Sequence, residues 1–286
     1  MHELSVFLMC HNRPVEATIA YKSIKNQTLG KSKFNIIISD NSSTCDGIDK
    51  NTISGNDTYI RRNPSLDVIT HHRKIISEVK SRYFLMFHDD DEMCGNMLEV
   101  LYNNIKTKKY SAVGTNAFIT YKKRSTKMIK TQKNIIYSNK TDFYHQYISG
   151  GNVFPFPGFI YNTEYYSKHD MNENNAGRYS DVPFIASGLR FKPILCLAVP
   201  LFTYKYHITN LNSDIFEKSR LLKLMKKEYQ GPKKYLNAFR IKLIIQRMKV
   251  EDKLRIKILY KLIFYDLSAT LLLIKIYTKY LFVRLF

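Results

Sequence analysis

Over the first hundred positions, apolar residues come in blocks rather than singly. Leu4–Met9, Phe34–Ser39 and Tyr83–Phe87 are short, nearly continuous apolar runs, the pattern of strands buried on both faces. Between and after them, residues 15–26, 68–79 and 97–105 read as helices, the first with Ala17, Ala20, Tyr21 and Ile24 at helical spacing. Strand and helix thus alternate three times, which predicts an α/β fold: a parallel sheet covered by helices on both faces. In such sheets ligands bind outside the carboxyl ends of the strands. All three ends here carry polar residues: His11-Asn12, Asp40-Asn41 and His88 to Asp91.

Beyond this half the pattern loosens. Residues 108–140, basic around Tyr121-Lys122-Lys123-Arg124, read as a hairpin or mobile loop. Residues 146–200, with Gly150-Gly151, the turn Pro155-Phe156-Pro157-Gly158 and Ser180-Asp181, read as irregular structure with short strands. From about Asp214 long helical segments rich in Lys, Arg, Leu, Ile and Tyr take over. The 286 residues are 44% hydrophobic, enough for a sizeable core.

The charge adds a constraint. Lys plus Arg number 45 against 24 Asp plus Glu, a formal net charge of +21, so the chain seeks nucleic acid, anionic lipid or phosphorylated substrates. Four scattered cysteines without a CxxC pair exclude a zinc framework or disulfide scaffold and fit a reducing compartment. The start, MHELSVFLMCHNRP, reads as a first strand and not as a signal peptide.

Asp89-Asp90-Asp91 in isolation also reads as an acidic surface turn, but three consecutive carboxylates directly after a buried strand are costly unless a cation compensates them. Mg²⁺ or Mn²⁺ is held in this way, by one or two carboxylates plus phosphate oxygens. The segments LSVFLMCHNRP, SIKNQT (Ser23–Thr28), IIISDNSS (Ile36–Ser43) and YFLMFHDDDEM (Tyr83–Met93), in this order and spacing, resemble the family 2 glycosyltransferases with the GT-A fold. The resemblance covers about residues 3–205. It implies a Rossmann-like, mostly parallel sheet flanked by helices, with a C-terminal basic helical extension added here. Residues 1–210 would be the catalytic domain, 1–107 binding a nucleotide sugar and 108–210 the acceptor, and 211–286 a basic, membrane-associating segment.

The same resemblance implies roles. His11, Asn12 and Asp40 would bind the nucleotide of a donor expected to be a UDP-sugar, with Arg73 and, beside it, His72 nearby. The family's acidic motif is commonly Asp-x-Asp-Asp; here His88 stands first, and it and Asp89 would contact the nucleotide sugar, while Asp90 and Asp91 would hold Mn²⁺ or Mg²⁺. Inverting transfer needs a carboxylate to take the acceptor's proton. Asp181, about ninety positions after the metal motif, fits that slot, although before Val182-Pro183 it also reads as a helix N-cap. Glu164 and Asp170 are less well placed. Gly150-Gly151 and Phe156-Pro157-Gly158-Phe159 would line the acceptor side. His145, His169 and His207 have no metal-binding spacing, and a late His such as His207 assists the metal in some relatives.

Residues 214–286 hold 18 Lys or Arg against 6 Asp or Glu, a net of +12. Leu271–Phe286, with Lys275 and Lys279 on one helical face, is too short and charged to span a bilayer and suits an in-plane helix on anionic lipid. Packing of the same helices on the catalytic domain is the alternative. The expected partners are a nucleotide-sugar donor, a polyprenyl-diphosphate-linked saccharide acceptor of surface-polysaccharide (O-antigen or capsule) synthesis, and the cytoplasmic face of the cell membrane. A nucleic-acid-binding protein would interleave its 17 Phe and 21 Tyr with basic residues, but most of them lie within apolar runs, so no nucleic-acid partner is expected. A sugar-nucleotide pyrophosphorylase would open with a Gly-rich loop, which is missing after the first strand.

Overall fold

The chain begins with β1 (Leu4–Cys10), α1 (Pro14–Lys25), β2 (Phe34–Asp40), β3 (Thr58–Arg61), α2 (Val68–Glu78), β4 (Tyr83–His88), β5 (Glu92–Met93) and α3 (Met97–Ile105). The structure is a computed structural model and describes residues 2–121, 124–127, 131–149, 154–168, 176–205 and 211–250, with Leu267 and Leu271. The expected strands and helices of this half are present, their ends moved by a residue or so. Pro14 opens α1 with its φ already helical, and α1 buries Ala17, Ala20, Tyr21 and Ile24. Asp67 caps α2, its Oδ1 accepting the N–H groups of Ile69 and Thr70 at 3.0 Å each. β3 was not expected: Thr-Tyr-Ile-Arg is short, half-exposed and lies at the sheet edge, so it carries no apolar run.

The second half adds β6 (Ala112–Tyr121), β7 (Arg124–Lys127), β8 (Ile135–Tyr137), α4 (Lys140–Ile148), β9 (Phe159–Asn162), α5 (Thr163–Tyr166), α6 (Asp181–Ser187), β10 (Ile194–Tyr204), α7 (Leu211–Glu228) and α8 (Lys233–Val250). One sheet runs in the order β3-β2-β1-β4-β9-β6-β10-β5. β3, β2, β1 and β4 are mutually parallel. β9 enters antiparallel between β4 and β6, and β10 runs parallel to β6. The basic stretch forms a hairpin of β6 and β7, and the segment expected to be irregular supplies β9, α6 and the eleven-residue β10.

Leu4, Val6 and Leu8 of β1 and Leu85 and Phe87 of β4 pack with Leu98, Leu101 and Ile105 of α3 in the main core. On the other face Phe84 stacks on Tyr161 at 5.2 Å.

The chain divides into two compact units. Residues 1–138, 154–173 and 181–207 form the first, which contains the whole sheet. Residues 139–153, 174–180 and 208–286 form the second. Within the second, Glu228 accepts from Tyr144 (2.6 Å) and pairs with Lys140 (3.0 Å), while Leu221, Met225, Leu236 and Phe239 of α7 and α8 are buried. Among the described residues, no helix is long and apolar enough to cross a membrane.

Candidate active site

The strand register brings the polar ends together. Cys10 lies opposite Asp40 and Met9 opposite His88, so the residues that follow β1, β2 and β4 share one edge of the sheet. The turn after β1 leans on the acidic run: the His11 N–H donates to Asp89 Oδ2 at 2.7 Å. Its ring Nδ1 donates to the Asn41 carbonyl at 2.9 Å. Asn12 takes a left-handed φ of 56°, a conformation Asn tolerates better than most residues. Its Oδ1 accepts the N–H groups of Ser43 (3.0 Å) and Thr44 (3.2 Å). A single side chain thus ties the first turn to the second.

Asp40 is fully buried, and its carboxylate is saturated from within. Oδ1 accepts from the Ser42 N–H (2.9 Å), and Oδ2 from the Gly47 N–H (2.9 Å), Tyr59 hydroxyl (2.6 Å) and Arg61 (2.6 Å). Burial alone would raise its pKa, but the bonds from Ser42, Tyr59 and Gly47 outweigh it and hold the group at about 2. Its visible work is to shape the loop 41–47. Beneath it Ser39 Oγ accepts from Arg62 Nε (2.9 Å) and shares a hydrogen bond with His71 Nε2 (2.8 Å). Burial pushes His71 down to about 3, so that ring is neutral.

The acidic run divides its labour. Asp89 faces the β1 turn, and Arg13 Nη1 bridges Asp89 Oδ1 (3.2 Å) and Asp90 Oδ2 (2.6 Å). Asp91 Oδ1 accepts the Lys205 N–H at 3.0 Å, while its Oδ2 is buried and has no hydrogen-bond partner among the described residues. Burial, reinforced by Asp90, raises Asp89 to about 6 and Asp91 well above the carboxylate range. One atom each of His88, Asp90 and Asp91 lie within 4.8 Å of one another. Carboxylates crowded in this way, one with an orphaned buried oxygen, fit a divalent cation.

Around this centre Phe156 acts as a hub: its ring lies 6.0 Å from His88, 5.4 Å from His72 and 6.2 Å from Phe184. His72 is therefore the α2 residue turned toward the centre, whereas Arg73 is exposed on the same helix. Phe184 belongs to α6, which starts at Asp181. Asp181 Oδ1 is buried without a hydrogen-bond partner among the described residues. Burial raises Asp181 to about 6, and backbone bonds from Val182 and its own N–H offset only part of that. Glu164 is exposed on α5, and His145 bonds Tyr229 in the second unit (2.9 Å). Gly150-Gly151, Asp170, His169 and His207 lie outside the described residues.

Sequence reasoning assigned no role to Arg13 or Lys205. Arg13 carries a signal, a lone cation in the turn facing the acidic run. Lys205 carries none, because its N–H reaches Asp91 only through the end of β10.

Among solved structures the chain is similar to S. aureus TarS 1–349 in complex with UDP, at 10% identity and a TM-score of 0.61, covering 87% of this chain and 72% of that one. It is similar to the same stretch in complex with UDP-GlcNAc, at 9% identity and 0.59, with 87% and 73% covered. A further S. aureus TarS structure matches at 13% identity and 0.58, covering 87% of this chain and 44% of that one. At these identities the likeness is one of fold. No curated protein matches the sequence. The profile of Glycosyl transferase family 2 matches residues 5–168, more than half of the chain and the ends of β1, β2 and β4, and the chain belongs to that family.

Proposed function

We propose that this glycosyltransferase moves a hexose from a nucleoside-diphosphate sugar to a saccharide carried on a polyprenyl diphosphate, in the synthesis of a bacterial surface polysaccharide such as an O-antigen or capsule. The observation that carries the reading is the convergence of three strand ends on a cluster of His88, Asp90 and Asp91. UDP is the favoured nucleotide because two similar folds are complexes with UDP and UDP-GlcNAc.

Asp90 and Asp91 would hold Mn²⁺ or Mg²⁺, which would supply positive charge against the diphosphate leaving group. His11, Asn12 and the loop ordered by Asp40 receive the nucleotide, with Asp89 fixing the His11 turn. Arg13, already beside Asp89 and Asp90, supplies a second positive charge to the donor's phosphates. Arg73 lies at the outer edge of the same helix as His72. Asp181 takes the proton of the acceptor hydroxyl as that oxygen attacks the anomeric carbon from the side opposite the leaving group, which inverts the configuration. A carboxylate held at about 6 is suited to accept a proton near neutral pH. The basic C-terminal segment draws the enzyme to the anionic cytoplasmic face, where such an acceptor lies.

The test is a panel of nucleotide sugars with Mn²⁺ or Mg²⁺ against a synthetic GlcNAc- or GalNAc-diphosphate-lipid acceptor. Transfer from one donor, lost in Asp90→Ala and Asp181→Asn, is the expected result. Full activity in both variants would remove the site assignment.

A further inference from the structure

His88 stands where the family's acidic motif usually begins, and its surroundings give it a use that a nucleotide contact does not explain. Its Nδ1 lies 3.7 Å from Asp91 Oδ2, the buried oxygen without a hydrogen-bond partner among the described residues. The Asp91 side chain is 0% exposed, and that of His88 is 32% exposed. One donor atom each from His88, Asp90 and Asp91 fall within 4.8 Å of one another. Two ligands that are each about 2.1 Å from one ion sit roughly 3–4 Å apart, so the imidazole and the orphaned carboxylate oxygen are spaced to share one. Phe156 lies beside the His88 ring at 6.0 Å with 30° between planes, which restricts its swing away from the carboxylates.

We infer that His88 is a nitrogen ligand of the metal, so that this enzyme carries a His-Asp-Asp donor set and selects a first-row transition ion such as Mn²⁺ over Mg²⁺. The inference rests on the metal-dependent donor site proposed above. Its chemistry is general: Mg²⁺ demands oxygen ligands and gives up water reluctantly, whereas imidazole nitrogen suits the transition ions. A carboxylate at this position would make the set all oxygen, without such a bias. Here the chain gives up one negative charge and gains selectivity.

Pulsed electron paramagnetic resonance on Mn²⁺ added to the full chain, with and without UDP, reads the first coordination sphere directly. The wild type is expected to show coupling to a bound ¹⁴N, replaced by the ¹⁵N pattern when histidine is labelled. His88→Asp should still bind Mn²⁺ but lose that coupling, and its preference for Mn²⁺ over Mg²⁺ in competition titrations should drop about tenfold. Asp90→Ala should lose Mn²⁺. If Mn²⁺ binds through Asp90 with no nitrogen coupling, or with one that survives His88→Asp, His88 is not a ligand and the donor site stands. If the wild type binds no Mn²⁺ with or without UDP, the metal-dependent reading fails and this inference with it. The labelled wild type decides the question even if a variant does not fold.

Discussion

Asp40 and Asp181 have opposite energetics. Asp40 is held at about 2, below its ordinary value, so its ionised form favours the folded state. That contribution, about 2 kcal/mol, is fully present above pH 4 and is lost as pH falls toward 2. Asp40→Asn removes an acceptor from Tyr59 and Arg61 and should cost about 3 kcal/mol in denaturant unfolding at pH 7, with weakened UDP binding because loop 41–47 loses its anchor. Asp181 lies on the other side of the balance. Its pKa is raised to about 6, so folding takes up a proton between pH 4 and 6, and stability falls as pH rises through that window. Asp181→Asn should therefore raise Tm by a few degrees at pH 8 while reducing transfer about 10²–10⁴-fold. In the wild type, kcat should rise as pH increases through about 6. A variant that lost activity and stability together would mark Asp181 as a structural cap only.

Among the elements, the turn after β1 carries the sharpest test. Asn12 combines a left-handed φ with two backbone N–H acceptances from the second turn. Asn12→Gly keeps the backbone freedom and loses the side chain, whereas Asn12→Ala loses both. The Ala variant should be about 1 kcal/mol less stable than the Gly variant, with UDP affinity reduced in both because loop 41–47 comes loose in each. Gly47 belongs to the same construction: a Cβ there would lie 2.3 Å from Asp40 Oδ1, so Gly47→Ala should mimic loss of Asp40 in the same titration.

These elements also show what the sequence could disclose. β1, β2 and β4 were legible because strands buried on both faces write continuous apolar runs, and their polar ends were legible because the residues are local. The partners of those ends were not. Tyr59 and Arg61 reach Asp40 through an edge strand without a pattern, and β9 enters between β4 and β6 by pairings with residues far away in the chain, such as Tyr83 with Asn162 and Ala112 with Tyr161. Such contacts depend on the topology of the whole sheet and leave no trace in local periodicity.

At the scale of the molecule the question is where a charge of +21 acts. In the second unit, Lys223, Lys226, Lys227, Lys233, Lys234 and Arg240 are exposed, and Lys223, Lys226 and Lys227 share one face of α7 by their spacing. Among the described side chains of α7 and α8, Leu221, Leu222, Met225, Leu236, Phe239 and Ile241 are buried, so the stretch 221–243 spends its apolar face on packing. Attraction of this part to a membrane must then be electrostatic, about 1 kcal/mol for each Lys or Arg near an anionic surface and screened beyond about 8 Å at 0.15 M salt. Vesicles containing anionic lipid should sediment the protein in 0.1 M NaCl and release it in 0.5 M, and neutral vesicles should not sediment it. Lys223→Glu, Lys226→Glu and Lys227→Glu together should weaken binding at least tenfold while leaving UDP affinity unchanged. Binding that survives 0.5 M salt would instead assign the contact to apolar insertion, for which Leu267 and Leu271, 63% and 58% exposed, are placed in the sequence that follows.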